Sequence, residues 1–121
     1  MLMAFDHERL DAYQLAIEFV GRANDAIDAL PRGRSYLVDQ LQRAALSVVL
    51  NIAEGAGRFA PKDKASFYLR ARASATESAA VMDVCQKLKL LDQSTTTADK
   101  AMLERISMML TKLIKAQRYR D

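Results

Sequence analysis

The chain has 121 residues, half of them hydrophobic and about a quarter charged, with no Trp and a net charge of +3 at pH 7. That length fits one domain, 1–121, and no run approaches the roughly 20 apolar residues that span a bilayer, so no membrane partner is expected. The lone Cys85 cannot form an internal disulfide and "MLMAFDHERL" lacks the basic and apolar regions of a signal peptide, so a reducing, cytoplasmic setting is expected.

The first predicted element runs from about Leu10 to Leu30. Leu10, Tyr13, Ile17, Val20, Asn24 and Ile27 recur at spacings of three and four, the pattern of an amphipathic helix, and Asp6 is expected to cap its start. "LPRGRS", 30–35, breaks it. The second runs from about Ser35 to Gly55, where glycines at 55 and 57 predict a left-handed C-cap. A phosphate-binding glycine loop is a poorer fit. These glycines follow a helix instead of opening one, and no Gly-Lys-Ser/Thr sequence is present.

Pro61 suits a first helical turn and Asp63 complements the positive end of a helix dipole, so a third helix opens there. It meets no breaker before Leu91. "DQSTTTAD", 92–99, reads as a polar loop that caps a fourth helix at Thr97 or Asp99. That helix runs from about Ala98 to Arg118, with Leu103, Ile106, Met109, Leu110, Leu113 and Ile114 on one side. Four helices with short connections and no strand signal predict an all-α fold, an antiparallel up-down-up-down four-helix bundle.

On a helical wheel the second segment is unusual. Gln40, Arg43, Ser47, Asn51, Glu54 and Arg58 form one stripe roughly 80° wide, and nearly everything else is apolar. Such a helix has more apolar surface than a bundle core covers, which predicts self-association through Leu46, Leu50 and Ala53 or the opposite edge. The polar stripe has two readings. In the first, Arg43, Ser47, Asn51 and Glu54 form a structural network with Arg70, Ser74 and Glu77 of the third segment, because buried polar groups need partners. In the second, the stripe lines a ligand or nucleic-acid groove.

Charge alternates along the chain: net −4 over 1–31, +5 over 32–72, −2 over 73–99 and +4 over 100–121. The candidate nucleic-acid contacts are Arg32, Arg34, Arg58, Lys62 and Lys64, with Lys115, Arg118 and Arg120 at the C-terminus. Scattered Lys and Arg on a solvated face, and dipole-complementing cations in a last turn, are the alternative explanation. Phe59, Tyr68 and Tyr119 make a thin stacking set, so backbone contacts with little sequence discrimination are expected. Catalysis is not expected, nor a metal or other cofactor. His7 is the single histidine, while bundle di-metal sites need Glu-x-x-His pairs on facing helices. Cys85 shares helical spacing with Val81 and Leu88 and reads as core.

The stretch "LVDQLQRAALSVVLNIAEGAGR", 37–58, resembles the signature of the bacterial four helix bundle proteins encoded in intervening sequences of large-subunit ribosomal RNA genes. "KDKASFYLRARASATE", 62–77, is similar to that family's second stretch through Phe67, Ala71, Ser74 and Glu77, and "DAYQLA", 11–16, to its first-helix start. The turn "KLKLL" departs from the family, where a glycine is expected. The resemblance implies a left-handed bundle assembled as a ring, a homopentamer, with no established activity. A related bundle, the accessory protein of diversity-generating retroelements, is a basic pentamer that engages reverse transcriptase and nucleic acid. The function expected is a non-catalytic assembly that binds RNA or DNA. The runner-up is a scaffold that binds another protein.

Overall fold

A computed structural model of the chain describes residues 5–118. A short 3₁₀ turn, Asp6–Arg9, leads into α1 (Asp11–Ala29), followed by α2 (Ser35–Ala56), α3 (Pro61–Lys87) and α4 (Gln93–Gln117). Each helix packs on its neighbour in sequence, and α1 closes against α4. The start of α3 and the ends of α2 and α4 share one surface pocket with Asp6 and Leu10, so successive helices run antiparallel. The result is the all-α, up-down-up-down four-helix bundle. Its core centres on Phe19, Leu41, Val48, Ile52, Met82, Leu103, Ile106 and Leu110.

Several local expectations are corrected. Asp6 does not cap α1. It opens the 3₁₀ turn, and Leu10 occupies the cap position of α1 in extended conformation. The buried face of α1 is Ala12, Leu15, Ala16, Phe19, Ala23 and Ala26, one residue out of step with the predicted stripe, and Ile17 is exposed. Alanine carries much of this face, so α1 lies close to the core without filling it with bulk.

Gly55 is not a left-handed cap. It is buried within the last turn of α2, and Gly57 ends the helix in right-handed conformation, φ −83°. The role of Gly55 is close approach. A Cβ there would stand 2.7 Å from Tyr68 Cε1 and 3.2 Å from the Lys64 carbonyl oxygen. The last α2 carbonyls are capped instead by Lys64, whose Nζ donates to the oxygens of Ala56 at 2.9 Å and Gly55 at 3.3 Å.

The third helix stops at Lys87, four residues before Leu91. Lys89 takes a left-handed conformation, φ 59°. The Leu90 N–H then bonds to the Cys85 oxygen at 2.9 Å and the Lys89 N–H to the Gln86 oxygen at 3.0 Å. This pair of bonds is a Schellman motif with lysine in the position that glycine usually fills. It explains how "KLKLL" turns without a glycine, at a cost of about 1 kcal/mol for a Cβ in left-handed backbone.

The fourth helix opens at Gln93, five residues before Ala98. Asp92 holds the cap position, and its carboxylate accepts hydrogen bonds from the Ser94 hydroxyl at 2.5 Å and the Thr95 hydroxyl at 3.3 Å. These bonds, the Ser94 one foremost, hold its pKa below the usual carboxylate range. These hydroxyl contacts are therefore intact at neutral pH and weaken as the carboxylate protonates in acid. Asp99, expected as a cap, is fully buried and pairs with Arg22 Nε, tying α4 to α1. Thr96 is buried too, its hydroxyl bonding to Gln86 Oε1 at 3.1 Å across α3 and α4.

Two stability experiments follow. Lys89→Gly removes the left-handed strain and should raise stability by about 1 kcal/mol, read as a higher denaturation midpoint with unchanged slope. Gly55→Ala and Gly21→Ala should move in opposite directions. Nothing lies within 4 Å of a Cβ at exposed Gly21, so that change gains about 0.5–1 kcal/mol of helix propensity. At Gly55 the clash with a buried ring should outweigh that gain by about 1 kcal/mol or more.

Candidate nucleic-acid interface

The polar stripe of α2 divides into a half-buried seam and separate surface contacts. In the seam, the hydroxyls of Ser47 and Ser74 meet at 2.7 Å between α2 and α3. Asn51 Nδ2 donates to the Ser47 oxygen and to its Oγ, both at 2.9 Å, and Ser78 Oγ donates to the Ser74 oxygen at 2.9 Å. At the surface, Gln40 bonds Glu77 across the two helices, and Arg58, just past the end of α2, pairs with Glu54 at 3.2 Å. Arg43 is exposed, away from the seam. Arg70 is exposed as well, and its guanidinium lies over the Phe67 ring, 4.8 Å from the centroid. Arg43, Glu54, Arg70 and Glu77 thus stand outside the half-buried seam that α2 and α3 share.

The basic residues do not form one patch. Arg32 and Arg34 lie in the connection between α1 and α2, where Arg34 Nη1 donates to the Tyr36 hydroxyl at 2.9 Å. Arg58, Lys62 and Lys64 lie at the other end of α2, whose 22 residues separate the two groups by roughly 33 Å. Antiparallel packing brings Lys115 and Arg118, both exposed, to that same second end. Lys64 is spent on the α2 carbonyls, and of the predicted contacts Arg58, Lys62, Lys115 and Arg118 face solvent at this end. Arg120 and Tyr119 lie outside the described residues.

Arg58 does more than extend the loop. Its guanidinium also lies over Phe67, 4.7 Å from the centroid, so one phenyl ring holds two arginines. This cluster is legible in sequence only in part, through the three-residue spacing of Phe67 and Arg70 on α3. Tyr68 is buried and offers no face for stacking, whereas Phe59 is 99% exposed. Phe59 and Arg58 line an open groove of about 820 Å³ together with Phe5, Leu50, Ala53, Asp6, Glu54 and Asp63.

Among the described residues no group of three His, Cys, Asp or Glu side chains is placed to hold a metal ion. Cys85 is buried, and burial pushes its thiol pKa up, away from the reactive thiolate. No described helix is long and apolar enough to cross a membrane.

No protein of curated function matches the chain. A family model, that of the 23S rRNA-intervening sequence protein, matches residues 8–112, from the 3₁₀ turn into the last turns of α4. That family has no known function and is not a known class of enzymes. With all four helices inside or overlapping the match, the chain belongs to the 23S rRNA-intervening sequence protein family.

Proposed function

We propose that the chain is a non-catalytic, self-associating bundle that binds nucleic acid, RNA foremost, through the basic end where α2 turns into α3. The observation that carries the binding reading is the convergence of Arg58, Lys62, Lys115 and Arg118, from two distant segments, on one end of the bundle. Arginine and lysine there contact phosphates, which gives affinity without sequence discrimination.

Self-association rests on α2. Leu46 is 52% exposed and Leu50 53% exposed, on one side of a helix whose other side fills the core. Leaving two such side chains in water forgoes about 1 kcal/mol each at half burial. A second copy of the chain covers them, and five subunits is the assembly that the resemblance implies. Copies of the basic end around an axis make weak phosphate contacts act together.

The test is a salt series with a mixed RNA and DNA pool, the mass of the protein being followed by light scattering. Wild type should bind tightly at low salt and lose affinity steeply as salt rises. The double variant Arg58→Ala with Lys62→Ala should keep its mass and bind more weakly, its salt slope flattened by about one unit for each phosphate it no longer neutralises. Lys64 is left intact because it caps α2. Leu50→Glu should lower the mass instead. An intact assembly that binds nothing at low salt would overturn the nucleic-acid reading and leave a protein-binding scaffold.

A further inference from the structure

We infer that the end of the bundle around Phe59 takes unpaired nucleotides, with Phe59 stacking on a base and the Arg58–Phe67–Arg70 cluster holding the neighbouring phosphates. This rests on the nucleic-acid reading above and specifies its ligand as single-stranded.

Phe59 is the starting point. It sits in a four-residue connection, 57–60, closed by Pro61, and almost its whole surface faces water. A phenyl ring of that exposure invites a flat partner. Its neighbours decide which partner. Arg58 precedes it, Lys62 follows within the first turn of α3, and Arg70 stands further along the same helix. An aromatic platform edged by cations is the arrangement that binds single strands. Every base has a π-face, and every nucleotide brings a phosphate.

The arginine cluster supplies the second half of the site. Arg58 is held by Phe67 and by Glu54, and Arg70 by the same ring. Both side chains are therefore partly ordered before binding, which lowers the entropy lost when they meet a phosphate. Their ring partner is taken, so Phe67 positions cations and Phe59 does the stacking. The groove that Phe59 and Arg58 line also carries Asp6, Glu54 and Asp63. Those carboxylates repel a phosphate and accept hydrogen bonds from base amino or imino groups. A base stacked on Phe59 meets the carboxylate rim, the Leu50 and Ala53 side of the groove being left to the second copy, and the phosphates belong over the arginines. A duplex, with its bases stacked inside, offers Phe59 nothing.

Two probes test this, a single-stranded uridine homopolymer and a blunt RNA duplex of equal length, each titrated against the full-length assembly. Wild type should prefer the single strand. Phe59→Ala, which removes no buried contact, should weaken single-strand binding about tenfold or more and leave duplex binding unchanged. Phe59→Tyr should restore it, and Arg70→Ala should weaken both probes. Equal affinity for the two probes, unchanged in Phe59→Ala, would overturn this inference while leaving phosphate binding standing. Loss of assembly mass in Phe59→Ala would also overturn it, assigning the ring to a subunit interface. Absence of binding to either probe by wild type at low salt would defeat the broader reading, and this one with it.

Discussion

The junction between Gly55, Tyr68 and Lys64 governs how the rest of the bundle is arranged. Because residue 55 has no side chain, the Tyr68 ring lies against the end of α2, and the two helices approach closely from their connecting loop onward. Lys64 then reaches back to the carbonyls that the helix end leaves open. Further along, several of the buried residues are small. Ala71, Ser74, Ala75 and Ser78 of α3 are buried, with Ala44, Ala45 and Val48 buried on α2. Close packing of this kind would strand polar atoms if Ser47 and Ser74 did not bond one another.

Much of this fold was legible because α2 and the start of α3 carry strong signals. Ser35 follows a Pro-Gly break, Pro61 stands at a first helical position, and the apolar density of α2 admits no other secondary structure. The illegible parts share a cause, which is that small or polar side chains did work usually assigned to larger or apolar ones. The alanines of α1 define its buried face, while the bulkier Ile17 lies outside. "DQSTTTAD" looks like a loop by composition, yet the Asp92 carboxylate gathers the Ser94 and Thr95 hydroxyls at the helix start while Thr96 and Asp99 go inward. Lys89 occupies left-handed backbone that composition would reserve for glycine.

The site was legible to a lesser degree, for a geometric reason. Arg34 and Arg58 are 24 positions apart and look like members of one basic region, but an intervening helix places them at opposite ends. Lys115 and Arg118 are far from Arg58 in sequence and share its end of the bundle. Charge counted along a chain predicts a surface only after the direction of each helix is known. Lys64 shows a second limit, since a cation beside helix carbonyls is consumed by structure. The pairing of Arg22 with buried Asp99 shows the same from the acidic side.

The exposed edge of α2 changes character along its length. Asp39, Gln42 and Arg43 face water in its first half, and Leu46, Leu50 and partly exposed Ala53 in its second. Uncovered apolar surface is therefore concentrated toward the end that also carries Arg58, Lys62, Lys115 and Arg118. In a self-associated bundle this coincidence has a mechanical consequence. In a ring, where copies meeting through Leu46 and Leu50 all point the same way, the cationic ends lie on one face, where like charges repel. That repulsion opposes assembly, and a polyanion crossing several subunits relieves it. Assembly and nucleic-acid binding would then be coupled through one end of one helix, each strengthening the other by the same free energy.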